Sequence, residues 1–178
     1  MVYLTSDLHF CHDKDFVWKE RGFNSIDEMN EAIIANWNAT VTEEDIVYIL
    51  GDLVLNDLEK GLECINRLRA KRIYCLTGNH DTATKLNAYC KYTKIYPIGY
   101  TTVIKQGKKS FYLSHYPTMT GNGAEQHAPW CLHGHTHSKD KFEFFDYRCY
   151  NCGLDAHNNT PVRLDKIIKD IDERRMVK

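Results

Sequence analysis

The sequence predicts a layered α/β domain. Two observations carry that expectation. Short β-branched and aromatic runs alternate with stretches of helical periodicity, and five of those runs end in polar clusters of Asp, Asn and His. In layered α/β proteins, sites collect at the carboxyl ends of strands because the loops there converge.

The elements follow in order. The run VYLT, Val2 to Thr5, reads as a strand and is followed by Ser6-Asp7-Leu8-His9. Ser25 with Glu28 three positions on forms a capping box, and Ile26, Met29, Ile33, Ile34 and Trp37 then recur at helical spacing. DIVYIL, Asp45 to Leu50, is a second strand and leads into Gly51-Asp52. Residues 57–69 carry a second helical stripe through Leu58, Leu62, Ile65 and Leu68. KRIYCLT then runs into Gly78-Asn79-His80-Asp81. TVIKQGKKSFYLSH reads as a hairpin turning at Gln106-Gly107, with His115 at its exit. Thr118 to Pro129 is expected to be a long mobile loop. PWCL leads into His133-Gly134-His135-Thr136-His137, and Leu164, Ile167, Ile168 and Ile171 mark a last helix. The apolar stripes are read as core packing.

Composition narrows the function classes. With 178 residues, 43% of them hydrophobic and 26% charged, the chain is expected to form one globular domain over 1–178. A net charge of -1 gives no electrostatic case for bulk nucleic-acid or membrane binding. No apolar run approaches the ~20 residues of a membrane helix, and no N-terminal stretch reads as a signal peptide. Together with seven scattered cysteines, this leads to the expectation of a cytoplasmic protein with thiols rather than disulfides. Cys149 and Cys152 form the one CxxC, with no second pair to complete a zinc site.

Read in order, the clusters are D-x-H (Asp7, His9), G-D (Asp52), G-N-H-D (Asn79, His80, Asp81), a lone His115 and G-H-x-H (His135, His137). This series resembles the calcineurin-like metallophosphoesterase family, in a small bacterial or phage-type form, and the match spans Asp7 to His137. The resemblance implies a four-layer α-β-β-α sandwich of two mixed β-sheets flanked by helices. It also implies two divalent metal ions. Asp7, His9, Asp52 and His137 would hold one, and Asp52, Asn79, His115 and His135 the other, with Asp52 bridging. Carboxylates and imidazoles suit manganese foremost, with iron, zinc, nickel or cobalt also accommodated, and no thiolate ligand points to a structural zinc cage. Asp7 and His9 are two apart, so an extended backbone would aim both to one side, as it would His135 and His137. Gly51, Gly78 and Gly134 would let the chain segments approach closely.

Two divalent ions set against Asp7, Asp52 and a bridging hydroxide leave the site slightly positive, which suits a phosphate oxygen. The expected chemistry is phosphoester hydrolysis by that hydroxide, without a covalent enzyme intermediate. By resemblance, His80 meets the phosphate or leaving-group oxygen, stabilising charge or donating a proton as a general acid, and Asp81 would orient it. His12 stands three residues after His9 at the expected mouth of the site, where it would touch substrate with Asn79 and His80. His133 has no place in the pattern, His127 falls in the long loop, and His157 is expected at the surface. Phe10, Phe16, Trp18 and Phe23 flank the first motif, as core residues or as platforms for a base or sugar. Many family members carry an arginine soon after G-D. GDLVLND has none, which shifts phosphate gripping to His80, the metals, His12 or Lys14. The expected partner is a small phosphomonoester or phosphodiester, nucleotides included. A nuclease of the same family is the alternative, though the chain has no basic excess for long nucleic acid. A non-catalytic scaffold on the same fold should have lost His80 or some ligands, and none is missing.

Overall fold

The computed structural model describes residues 1–120 and 128–176. His127 and the middle of the predicted 118–129 loop lie outside the described residues. Two mixed sheets form the centre. The first has the order β4-β3-β2-β1-β9, with β1 (Val2–Thr5), β2 (Ile46–Ile49), β3 (Arg72–Cys75) and β4 (Ile95–Pro97) parallel and β9 (Val162–Arg163) antiparallel to β1. The second has the order β5-β6-β7-β8. Its β5 (Thr101–Gln106) and β6 (Lys109–Ser114) form an antiparallel hairpin, while β7 (Trp130–His133) and β8 (Cys149–Asn151) continue in parallel.

The two-residue period of the strands divides the first sheet between two cores. Tyr3, Val47, Ile49, Ile73 and Cys75 pack against Met29, Ile33 and Trp37 of α2 (Ile26–Thr40), Ile65 of α3 (Leu58–Asn66) and Tyr89 of α4 (Ala83–Tyr92). Leu4, Leu50 and Leu76 point the other way and join Phe111, Leu113, Trp130, Leu132 and Tyr150 of the second sheet. Leu164, Ile167 and Ile171 of α5 (Leu164–Met176) enter that second core, and the Tyr150 hydroxyl donates to Asp170 at 2.8 Å. This is the sandwich of two sheets with flanking helices that the sequence implied.

Local signals held with small shifts. Ser25 accepts from the Glu28 N–H at 3.1 Å, but the Glu28 carboxylate reaches back to Asn24 N at 2.8 Å, one residue earlier than a capping box requires. The hairpin turns at Gly107-Lys108 rather than Gln106-Gly107, because Gln106 pairs with Lys109 and Gly107 supplies the left-handed φ of 60°. α4, β4, β8 and β9 had not been foreseen, nor had the single turn α1 (Asp15–Trp18). No helix among the described residues is long and apolar enough to cross a membrane.

Candidate metal centre

β1, β2, β3, β6 and β7 all deliver their carboxyl ends to one rim, and the loops leaving them bring the candidate ligands together. Two backbone bonds lock the first pair of loops side by side: Asp7 N donates to Gly51 O and His9 N to Asp52 O, both at 3.1 Å. The chain is not extended there. Asp7, His9 and Asp52 have φ of 60°, 50° and 58°, and His135 and His137 have 69° and 52°. The expectation that alternate residues on extended strands aim the ligands is therefore corrected. These five sit past their strand ends in the left-handed region, a conformation costly for most L-residues and tolerated best by Asn, Asp and His. Backbone strain of this kind concentrates at sites where surrounding structure enforces it.

Glycine permits the convergence at three points, the first being Gly51, whose φ is 101° and where a Cβ would stand 2.7 Å from the Gly78 backbone. A Cβ on Gly78 would collide with the Asp52 carboxylate, and one on Gly134 with Ser6 Oγ and Asp7 Oδ2.

The donor atoms fall into two groups around Asp52. On one side, His9 Nε2 lies 3.7 Å from Asp7 Oδ1, and His137 Nε2 lies 3.9 Å from the same oxygen. On the other, Asn79 Oδ1 is 2.7 Å from His115 Nε2 and 2.9 Å from His135 Nδ1, and the two imidazole nitrogens are 3.2 Å apart. Asp52 links them. Its Oδ1 accepts from His80 N at 2.9 Å, while Oδ2 lies 3.7 Å from His9 Nε2 and 3.5 Å from His115 Nε2. The ligand atoms of Asp7, His9 and His137 all lie within 4.8 Å of one another, and so do those of Asp7, Asp52 and His115. All seven ligands proposed from sequence thus meet at one point.

Tautomers follow from the second partners. His115 Nδ1 faces the Leu50 carbonyl at 2.8 Å and must donate to it, so Nε2 presents a lone pair to the cluster. His137 Nδ1 lies 3.0 Å from Asp155 Oδ2, which likewise turns Nε2 toward Asp7. Burial pushes the Asp7 carboxyl up, but the imidazoles of His9, His137 and His115 outweigh it and hold the group well below the usual carboxylate range. Burial draws His9 down, with only partial compensation from Asp7. For His137 burial also acts downward, yet Asp155 and Asp7 prevail and raise it.

The arrangement passes a test for cations. Among the described residues, Asp7 Oδ1 and both ring nitrogens of His9 are buried without a hydrogen-bond partner. Buried polar atoms are rarely left so. Two ligands each about 2.1 Å from one ion stand up to about 4 Å apart, and the separations around Asp7, His9 and Asp52 fall in that range.

The family model for calcineurin-like phosphoesterases matches residues 1–176. The chain belongs to this family. A protein of Methanocaldococcus jannaschii is similar to this phosphoesterase at 32% identity, covering 99% of this chain and 94% of its own. Among solved structures, a protein of unknown function from Aquifex aeolicus is similar with a TM-score of 0.75 and 24% identity, covering 95% of this chain and 98% of the other. An archaeal phosphodiesterase shares the fold at a TM-score of 0.50 and 19% identity, covering 85% and 82%.

Other residues of this phosphoesterase stand differently from expectation. Asp81 is buried and does not orient His80. Its Oδ2 accepts from Asp52 N at 2.7 Å and Gly78 N at 3.0 Å, and its Oδ1 accepts from Leu53 N and the Tyr89 hydroxyl at 3.3 Å. It is a positioning residue that clamps the β2 and β3 exits under the ligands. His80 itself is exposed, with its ring 5.6 Å from that of His9. His12 lies 5.3 Å from His9 on the wall of a cleft beside the cluster. His133 is the buried last residue of β7, donating from Nδ1 to Gly134 O at 2.9 Å. His157 is not at the surface as expected: it is largely buried, with Nε2 donating to Asn151 O at 2.9 Å.

Sequence reasoning missed three residues. Asp155 holds His137 and is itself gripped by the buried Arg21, through Nε at 3.1 Å and Nη2 at 2.9 Å. Arg21 Nη2 also donates to Asp7 O at 2.6 Å and Nη1 to Leu8 O at 3.2 Å. Tyr116, half exposed, sets its ring edge-on to His135 at 4.5 Å and to His115 at 5.1 Å. Its only sequence signal was an aromatic directly after His115.

Proposed function

We propose that this chain is a dinuclear-metal phosphoesterase acting on small phosphodiesters or phosphomonoesters. The observation that supports it most is the single free carboxylate oxygen of Asp52, set between two groups of donors while its other oxygen is fixed by a backbone N–H. Asp7, His9, Asp52 and His137 would hold one ion, and Asp52, Asn79, His115 and His135 the other. When bound, the pair would supply Lewis-acid activation of water and neutralise charge on the phosphoryl oxygens.

The remaining roles belong to the chain. His80 stands exposed at the rim, its backbone fixed by Asp52 and by Lys85, whose Nζ donates to His80 O at 2.9 Å. A ring so placed donates a proton to the departing oxygen of the ester. Asp155 and Arg21 hold His137 and the Asp7 backbone in register, so that geometry is set before substrate arrives. Asp81 keeps the Asp52 and Gly78 loops from separating.

The test is hydrolysis of bis(p-nitrophenyl) phosphate and p-nitrophenyl phosphate by metal-stripped protein resupplied with Mn, Fe, Co, Ni or Zn. Turnover that depends on added metal and disappears in Asp52→Asn supports the reading. Absence of turnover with every metal would leave a scaffold that has kept the shape alone.

A further inference from the structure

A cleft of about 540 Å³ opens beside the His9 face of the cluster, lined by His12, Lys14, Phe16, Glu20, His80 and Lys139 among others. Its volume falls within the range of small-molecule sites. Three features of the wall call for a ligand.

Phe16 is 64% exposed at the edge of the cleft, although its helix neighbour Val17 is buried in the first core. The His12 ring meets it edge-on at 5.8 Å and stands in turn 5.3 Å from the His9 ring, so an aromatic path leads from the cluster to Phe16. Among the described residues, the Lys14 and Lys139 side chains make no hydrogen bond or ion pair, and both line the same cleft. An exposed aromatic face beside free cations is the combination that takes a base and a phosphate. Glu20 adds an acceptor for a sugar hydroxyl.

We infer that this cleft binds a nucleotide, with its base on Phe16, an outer phosphate between Lys14 and Lys139, and its reacting phosphoester directed at the donor cluster. This rests on the reading of the cluster as the hydrolytic centre and narrows the substrate class from small phosphoesters in general. Phe16 and the two lysines are specificity residues and take no part in the hydrolytic step.

The experiment is calorimetric titration of the manganese-supplemented protein with three probes: adenosine 5′-monophosphate, ribose 5-phosphate and adenosine 3′,5′-bisphosphate. The nucleotide should bind about tenfold more tightly than the sugar phosphate, as expected for one stacked base. Phe16→Ala should erase that preference, and Phe16→Leu, which keeps apolar bulk without a ring, should recover only part of it. The pair Lys14→Ala and Lys139→Ala should cost the bisphosphate about tenfold and the monophosphate little. Equal affinity for nucleotide and sugar phosphate, or a preference that survives Phe16→Ala, overturns the inference. Phosphodiester turnover without nucleotide preference would refute the cleft and leave the centre standing. Nucleotide preference without turnover under any metal would do the reverse.

Discussion

The Asp7–His9–His137 side of the cluster and the Asn79–His115–His135 side meet at Asp52 but are built in opposite ways. On the first, the donors are held apart, and Asp7 Oδ1 and the His9 nitrogens have no partner among the described residues. Behind them stands a buried frame of Arg21 and Asp155. On the second, Asn79 Oδ1 accepts a hydrogen bond from His135 Nδ1 at 2.9 Å, while the His115 Nε2 lone pair faces the same oxygen at 2.7 Å. A cation entering the first group relieves buried unsatisfied atoms, whereas one entering the second must also displace the His135–Asn79 hydrogen bond. The first group should therefore bind its ion more tightly, and stepwise loading should be visible in a metal titration as two phases.

Substitutions can break this contrast, beginning with the largest effect. Asp52→Asn serves neither group well, and turnover should fall by more than about a hundredfold, since even partners behind the ligands account for 10–100-fold at such centres. Metal analysis should show both ions weakened. Asp155→Asn should separate the two sides. It removes the charge that holds His137, so the tight phase should weaken by about 10–100-fold while the weak phase stays in place. Loss of both phases together would mean that the two groups are not independent. Arg21→Met leaves Asp155 buried without its guanidinium and should destabilise the fold by about 3 kcal/mol in urea denaturation. Asn79→Ala should act only on the weak phase.

The smallest effect lies away from the cluster and serves as a control. Burial lowers His157 from 6.5 to about 4. The unfolded chain therefore takes up a proton near pH 6.5 that the folded chain refuses until about pH 4. The His157 contribution to stability is complete above pH 6.5 and declines as pH falls toward 4. His157→Gln should flatten that part of the denaturation-midpoint profile without changing metal content.

What the sequence made legible follows from how local each signal was. β1, β2, β3, β6 and β7 are β-branched or aromatic runs with a polar cluster at each exit, and the seven candidate ligand residues that the structure brings together announced themselves by type and order. α4 was obscure because its sequence, ATKLNAYCKY, buries only Tyr89 fully, and β8 and β9 are three and two residues long. The backbone at Asp7 and His9 was misjudged because residue spacing carries no information on the sign of φ. Asp155 was invisible for a different reason. Its partner Arg21 lies 134 positions away, and no pattern along the chain joins them. Asp81 had a motif position that drew attention to His80, while its actual bonds run to backbone across two loops.

The central claim is that Asp52 is shared between two cations. Anomalous diffraction from crystals grown with manganese tests it most directly. The account predicts two peaks about 3.5–4 Å apart, both in contact with the Asp52 carboxylate, the stronger one beside His9. A single peak, or a pair of which only one touches Asp52, would contradict it.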